Sequence, residues 1–274
     1  MAELRYSILD PTGNITALVE GDAPVPAQPA LAAAVMRRHP EVEQVGFLRA
    51  DGALPSLRMA GGEFCGNASI SAAALLLLRA GRDEAACRLQ VSGAERPVEL
   101  RLRRAGPDCA RAAILMPPAL GLETAELCFG GVRGTLPLVR MQGIAHLIAG
   151  PDSPYFALLT EREQAVRAVR AFCETLGAAC LGLMFLEGEG SARRLTPLVC
   201  VPGSGTVFWE NSCASGSAAV GLYLAAAGEP AELTLQEPGG TLRVACDPRR
   251  GETWLHGEAR LVSTHRLAGE PALF

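Results

Sequence analysis

A chain of 274 residues, 49% of them hydrophobic, suits one large domain or two of ordinary size and can bury a sizeable core. Its net charge of −4 provides no basic surface for nucleic acid, and its 25 basic residues are all arginine. Pyridoxal phosphate enzymes need lysine for the Schiff base and Walker A loops need it at the phosphates, so the composition excludes both classes.

Hydropathy and cysteine usage indicate a cytoplasmic protein with reduced thiols. We identify no signal peptide at the N-terminus, and the longest apolar run, Ala72 to Leu78, is too short for a membrane helix. The nine cysteines are odd in number and form no CxxC or His/Cys cluster. The sequence therefore predicts neither a disulfide framework nor a metal site.

The first half of the chain reads as short strands on either side of one apolar helix. Apolar and polar residues alternate around the turn signal DPTGN, which favours a hairpin at the start. In chain order, the predicted elements are a hairpin over 5–20, a helix over 29–38, strands over 44–50 and 55–60, a helix over 68–79 closed by Gly81, and strands over 88–93, 96–104 and 110–118.

The second half repeats this order. Its predicted elements are strands over 132–138 and 143–150, a helix over 161–176, strands over 180–188 and 193–203, a helix after Cys213 that closes at Gly228, a hairpin over 231–247 and a strand over 253–263. The repetition predicts an α+β fold of two pseudo-symmetric halves, 1–117 and 118–259, each with a mostly antiparallel sheet around a central helix. We expect the tail, about residues 260–274, to return to the first half.

Two matching motifs open the two apolar helices. GGEFCGNAS surrounds Cys65 and ENSCASGS surrounds Cys213, and each places a thiol beside cap-type residues and a glycine. The first N–H groups of a helix and its positive dipole end form an anion site that suits a carboxylate. The same field is expected to lower the pKa of a nearby thiol, which makes it a usable base.

Two such sites suit proton transfer at the carbon beside a carboxylate. One thiolate removes the proton, the other thiol returns a proton to the opposite face, and the carbon is inverted. Amides at the helix ends would stabilise the enediolate without a cofactor. The absence of lysine agrees with this chemistry, because the protein must then supply the stabilisation that pyridoxal phosphate would give.

GGEFCGNAS, ENSCASGSAA and the early DPTGN resemble the diaminopimelate epimerase family of cofactor-independent racemases and epimerases. The resemblance implies two mirror-like α+β domains, a catalytic cysteine from each, an amino-acid substrate, no cofactor and no metal. It also implies a homodimer and no nucleic-acid or membrane partner. Carried over by motif, Cys65 and Cys213 are the bases, and the substrate-binding residues are Asn14, Gln44, Gly66, Asn67, Ala214, Ser215 and Gly216.

Departures from that family bear on the substrate. Ser204-Gly205 stands where diaminopimelate epimerases carry the arginine for the distal carboxylate, and Gly143 to His146 replaces their Gly-Asn-Pro-His. The patterns are more similar to the histidine racemases of this fold, which supply D-histidine for opine metallophores of the staphylopine type. Candidates for the α-amino group or imidazole are then Glu43, Glu210 and Asn211.

Alternatives stay open at this point. His146 is either a hydrogen-bonded strand histidine or a site residue, and Glu63 and Glu210 also suit simple electrostatic capping of the helix starts. Diaminopimelate epimerase proper and a proline or hydroxyproline racemase-like enzyme are the other activities considered. A phenazine-biosynthesis-like or non-enzymatic member of the fold is the third, although such members usually lack the cysteine pair.

Overall fold

The computed structural model describes residues 4–190, 193–247 and 249–267. These residues form four α-helices and sixteen strands in two compact units. The first unit contains the described residues of 4–115 and 256–267, and the second those of 116–255. Residues 1–3 of the predicted first half and 268–274 of its predicted tail lie outside the described residues.

In the first unit, a strand-rich sheet closes around one helix. The elements are α1 (Gln28–Arg38), α2 (Gly66–Arg79), β1 (Leu4–Asp10), β2 (Thr16–Glu20), β3 (Gln44–Arg49), β4 (Ser56–Met59), β5 (Glu84–Val91), β6 (Val98–Gly106), β7 (Cys109–Leu115) and the later part of β16 (Glu252–Leu267). The strands pair in that order, and β16 pairs with both β7 and β1, which closes a barrel. Helix α2 packs against β2, β3, β5, β6 and β7.

The composition of α2 explains its central position. The helix is rich in alanine and leucine on every side, and most of its residues are buried, including the polar Asn67, Ser69 and Ser71. A helix that is apolar all round is stable only when its whole surface is covered. Helix α1 instead buries one face, with Leu31 and Val35 against the core below β1 to β3.

The second unit has the same order of elements. It contains β8 (Gly121–Phe129), β9 (Val132–Met141), β10 (Ile144–Ala149), α3 (Arg162–Leu176), β11 (Leu181–Glu187), β12 (Arg194–Val201), β13 (Thr206–Trp209), α4 (Ala214–Ala226), β14 (Glu232–Glu237), β15 (Gly240–Asp247) and the first residues of β16. Helix α4 packs against β9, β10, β11, β14 and β15. Helix α3 covers β8, β11 and β12.

The pairing directions repeat as well. From β1 to β6, successive neighbours pair antiparallel, parallel, antiparallel, parallel and antiparallel. The series β9, β10, β11, β12, β14 and β15 gives the same sequence of directions. The parallel pairs β2–β3 and β10–β11 are each separated in the chain by a helix, α1 and α3, because a parallel pair needs a long crossover.

Most predicted elements are confirmed, with corrections at their ends. Helix α2 begins at Gly66 rather than at residue 68, because Cys65 itself occupies the N-cap. Strands β8 and β13 were not predicted. Most side chains of β8 are exposed, which hides its alternation, and β13 has only four residues, all half-buried. No helix within the described residues has both the length and the apolar character needed to cross a membrane.

Candidate active site

Cys65 lies at the N-cap of α2. Its backbone is extended, with φ −133° and ψ 115°, and its Sγ accepts a 3.3 Å hydrogen bond from the N–H of Ala68. Ser69 secures the same turn, because its hydroxyl donates to the carbonyl of Cys65 at 2.7 Å. The thiol is thus held in a fixed position at the positive end of a buried helix.

A hydrogen-bonded network joins the predicted site residues of the first unit. The Cys65 thiol donates to Oε1 of Gln44 at 2.7 Å. Asn67 donates through Nδ2 to Oδ1 of Asn14 at 3.2 Å, and Asn14 donates in turn to Oε2 of Glu43 at 2.6 Å. The structure therefore brings together five of the residues that the sequence predicted for this half.

Two residues that the sequence analysis missed hold the loop before Cys65. The hydroxyl of Ser92 donates to the carbonyl of Glu63 at 2.8 Å and accepts from the N–H of Met59 at 2.9 Å. Gly93 has φ +73°, and a Cβ built on it would lie 2.3 Å from the backbone nitrogen of Phe64. Only glycine permits this approach, so the turn after β5 fixes the segment that leads into Cys65.

Glu63 lies two residues before Cys65 and is largely withdrawn from water. Burial raises the pKa of its carboxyl, against the lowering effect of its own N–H, Arg58 and the N–H of Gly61. Its Oε2 has no hydrogen-bond partner among the described residues. The electrostatic-capping interpretation of Glu63 stays a prediction.

Cys213 occupies the corresponding position in the second unit. It is the N-cap of α4, with φ −132° and ψ 101°, close to the values of Cys65. Its Sγ lies 3.6 Å from the hydroxyl of Ser215. Burial raises the pKa of this thiol well above its usual value, and the nearby carboxyls of Glu210 and Glu237 raise it further.

The expected lowering of the thiol pKa by the helix end is therefore wrong for Cys213. Hydrogen bonds from the N–H of Gly216 and from Ser215 do lower it, but burial and two carboxyls outweigh them. A thiolate in a desolvated position beside negative charge is unfavourable. These surroundings therefore favour the thiol form of Cys213.

Glu237 is the most prominent residue of the second unit that the sequence analysis missed. It ends β14, is buried, and accepts a 2.7 Å hydrogen bond from the N–H of Cys213 at Oε2. Its Oε1 accepts from the hydroxyl of Ser217. Burial raises the pKa of Glu237 to about 8. The only available signal was its place at the end of β14, which corresponds approximately to the place of Ser92 directly after β5 in the first unit.

His146 lies in β10 beside Gly182 of β11 and is fully buried. Burial lowers its pKa to about 3, so the ring is neutral near pH 7. Neither ring nitrogen has a hydrogen-bond partner within the described part of the chain, so no described residue supports the interpretation as a hydrogen-bonded strand histidine. A Cβ on Gly182 would meet Nδ1 of His146 at 2.3 Å and Cε of Met184 at 2.6 Å.

Met184 connects this histidine to the start of α4. A Cβ on Gly216 would lie 2.3 Å from Sδ of Met184 and 3.2 Å from Sγ of Cys213. Two glycines thus make room for one methionine between His146 and the thiol. The structure brings His146 into the surroundings of Cys213, which the sequence could not show.

The remaining predicted residues of the second unit also flank Cys213. Glu210 is buried and its N–H donates to the carbonyl of Pro197, and the carbonyl of Asn211 accepts from the N–H of Gly239. Ala214 is buried in the first turn of α4. The turn after β14 therefore holds the segment before Cys213, as the turn after β5 holds the one before Cys65.

The residues of each unit suit carboxylate binding and proton transfer. In each, a cysteine lies at the N-cap position of a buried helix whose first N–H groups lack intrahelical partners and favour negative charge. No group of three or more potential ligands for a metal ion occurs among the described residues. A thiol beside a carboxylate-binding helix start suits proton transfer at the α-carbon, the chemistry of a racemase or epimerase.

A solved structure shares the fold of this chain. A crystal structure of a probable proline racemase from Agrobacterium radiobacter matches with a TM-score of 0.73, covering 98% of this chain and 94% of that one. The sequence identity is 13%, so this likeness concerns the fold alone.

The particular family follows from the sequence. Residues 3–264 match the family model described as the histidine racemase CntK N-terminal domain, and the chain belongs to this family. A histidine racemase from Fusobacterium nucleatum is 29% identical over 96% of both chains. A histidine racemase from Staphylococcus aureus is 26% identical over 95% of this chain and 96% of that one. The resemblance to histidine racemases is thus confirmed.

Proposed function

We propose that this chain is a cofactor-independent histidine racemase in which Cys65 and Cys213 are the two bases. The observation that carries the proposal is the matched setting of the two thiols. Each lies at the N-cap position of the buried helix of its unit, in nearly the same backbone conformation. The histidine racemases of Fusobacterium nucleatum and Staphylococcus aureus, which match almost the full length, support histidine as the substrate.

The reaction removes one proton from the α-carbon and adds another to its opposite face. A cysteine thiolate takes the α-proton of L-histidine, and the electron pair of the C–H bond passes into the carboxylate to give an enediolate. The other cysteine then donates its thiol proton to the opposite face and becomes a thiolate. The charges on the two sulfurs have exchanged, so the enzyme is ready for the reverse direction.

Backbone groups at the two helix starts would stabilise the enediolate. The residues proposed for this are Gly66 and Asn67 in α2, and Ala214, Ser215 and Gly216 in α4. Helix N-termini favour the negative charge that develops on the carboxylate oxygens in the transition state. No lysine is available to form a Schiff base, which agrees with catalysis by preorganised amides alone.

Acidic and polar side chains would bind the rest of the substrate. Glu43, fixed by Asn14, carries a carboxylate suited to the α-ammonium group, and Gln44 lies beside the Cys65 thiol. Glu210 and Asn211 lie in the segment before the other cysteine, and the neutral His146 is connected to it through Met184. These three residues are the candidates for binding the imidazole. These assignments rest on chemistry and placement in each unit.

Other parts of the proposal concern the cellular setting. We propose a cytoplasmic homodimer, a diaminopimelate epimerase-like fold, and use of the D-histidine product in an opine-type metallophore, as the motif resemblance implies. Reduced thiols are required by the chemistry, which agrees with a reducing compartment.

The substrate is tested by incubating the purified protein with single amino acids and separating the enantiomers by chiral chromatography. L-Histidine should be racemised in buffer containing EDTA and no added pyridoxal phosphate. Diaminopimelate, L-proline and trans-4-hydroxy-L-proline test the alternative activities in parallel. Faster conversion of any of these than of histidine would contradict the proposed substrate.

A further inference from the structure

The carboxyl of Glu237 is joined to the first turn of α4 at two points. The N–H of Cys213 donates to one of its oxygens at 2.7 Å, and the hydroxyl of Ser217 donates to the other. Cys213 makes no side-chain cap of its own helix, whereas Cys65 accepts from the N–H of Ala68. A carboxyl from a neighbouring strand therefore supplies the cap at the second cysteine.

This carboxyl is buried without a cationic partner among the described residues. Glu237 is 7% exposed, and Arg133 on β9 is exposed to solvent. The other arginines on strands packed around α4 form ion pairs elsewhere, as does the buried Arg193, whose carbonyl accepts from the N–H of Gln236. Those pairs are Arg140 with Glu123, Arg243 with Glu232, and Arg193 with Glu229. The titratable groups buried on the same elements are the neutral His146 and Cys246, and Glu210 lies just before the helix.

Burial decides the protonation state of Glu237 near neutral pH. Its pKa is raised to about 8, even though the hydrogen bonds from Ser217 and Cys213 favour the charged form. The charge of Glu237 also raises the pKa of the Cys213 thiol. Two neighbouring buried groups of this kind do not both ionise readily, so their titrations are coupled.

We propose that Glu237 is the positioning residue of Cys213, which fixes the thiol at the helix start and controls by its own protonation whether that sulfur can become a thiolate. When Glu237 holds a proton, the charge beside Cys213 is removed and the sulfur can ionise. When Glu237 loses the proton, Cys213 is kept as a thiol. The catalytic meaning of this control rests on the proposed function, in which Cys213 is a base.

The test measures how fast iodoacetamide alkylates Cys213 between pH 6 and 10, using peptide mass spectrometry to separate this thiol from the other cysteines. Glu237→Gln keeps the shape and an acceptor oxygen but removes the charge. At pH 9 we expect alkylation of Cys213 to be about tenfold faster than in the unmodified protein, because removal of the adjacent charge lowers the pKa of the thiol and raises its thiolate fraction. The alkylation profile and the alkaline limb of the racemisation pH profile should both move to lower pH.

Glu232→Gln is the matched control, because Glu232 lies on the same strand with an exposed side chain. It should leave both pH profiles unchanged. An E237Q protein that is folded by circular dichroism and shows the unmodified alkylation profile would overturn the proposal.

A second variant applies if E237Q does not fold. Ser217→Ala removes the hydroxyl that donates to Glu237, which raises the pKa of that carboxyl and keeps it neutral to higher pH. Alkylation of Cys213 at pH 9 should again accelerate, and an unchanged rate would contradict the coupling. Alkylation needs no substrate, so these results are independent of whether histidine is racemised and separate this proposal from the proposed function.

Discussion

The Cys65 thiol donates a 2.7 Å hydrogen bond to the amide oxygen of Gln44. Gln44 is neutral, whereas the partner side chains around Cys213 include the carboxyls of Glu210 and Glu237. The two thiols share the same helix-cap position but differ in electrostatic surroundings. A two-base racemase can use this difference to keep one cysteine as a thiol while the other is a thiolate.

The network that leads from Asn67 through Asn14 to Glu43 should contribute to substrate binding. Glu43→Gln removes the charge that accepts the 2.6 Å hydrogen bond from Asn14 and that is proposed to attract the substrate ammonium. Charge-assisted hydrogen bonds contribute about 1.5–3 kcal/mol, so KM for histidine should rise about tenfold or more. Initial-rate kinetics give the measurement.

Glu41→Gln serves as the control for this change, since Glu41 is exposed and pairs with His39. Its KM should equal that of the unmodified protein. Equal effects of E41Q and E43Q would show that Glu43 has no specific part in binding.

Gly93→Ala should disturb the loop that carries Glu63 and Phe64 into Cys65. The new methyl group would lie 2.3 Å from the backbone of Phe64, in addition to the strain of a left-handed conformation at φ +73°. Gly81→Ala is the matched control, because φ is +65° there but no atom lies within 4 Å. Both variants should lose about 1–2 kcal/mol in free energy of unfolding from backbone strain.

Only Gly93→Ala should lose roughly a further 1–3 kcal/mol in free energy of unfolding, because its methyl group overlaps the backbone. Only this variant should also lose much of its kcat. Urea denaturation and steady-state kinetics separate the two effects. A G93A protein with the same stability and kcat as G81A would show that the close approach does not position Cys65.

Buried His146 predicts a specific dependence of stability on pH. Its pKa is about 3 in the folded protein against 6.5 as the ordinary value, so between these values the unfolded chain binds the additional proton. The contribution of neutral His146 to the free energy of unfolding is therefore fully present above pH 6.5. It is lost as pH falls towards 3, by about 1.4 kcal/mol per pH unit. Glu237 acts in the opposite direction, because its raised pKa makes stability fall as pH rises from 4.5 to 8.

Two variants separate these contributions. His146→Gln should abolish the loss of stability that the histidine causes below pH 6.5, and Glu237→Gln should abolish the loss towards pH 8. Urea denaturation at pH 4.5, 5.5, 6.5 and 8 measures the slopes. The same slope in H146Q as in the unmodified protein would contradict a buried neutral histidine.

Local patterns were sufficient to predict much of the fold. Apolar periodicity and turn residues predicted both central helices and most strands, and the motif around each cysteine placed the thiols at the helix starts. Strand β8 was missed because exposed glutamates and threonine interrupt its pattern. Asn14 and Gln44 were named as site residues by resemblance, and Glu43 as a candidate for the α-amino group or imidazole, but their hydrogen bonds were not predicted.

The contacts that tune the two thiols could not be predicted from the sequence. Glu237 lies 24 positions after Cys213 and reaches it only because β14 ends beside the start of α4. Gly93 gave no signal that distinguishes it from an ordinary turn glycine. His146 is unusual because Gly182 and Met184 surround it with an apolar environment, a long-range property that a single strand does not reveal.

The most direct test of the two-base mechanism is exchange of the α-proton in D₂O by Cys65→Ala and Cys213→Ala, with each enantiomer of histidine. Cys128→Ala, at an exposed thiol, is the control and should racemise normally. Each catalytic variant should lose racemisation by at least about 100-fold, the usual contribution of one acid–base group. Each should still exchange the α-proton of one enantiomer only, and the two variants should act on opposite enantiomers. Racemisation at the unmodified rate by either variant, or exchange of the same enantiomer by both, would contradict the assignment of Cys65 and Cys213 to opposite faces of the α-carbon.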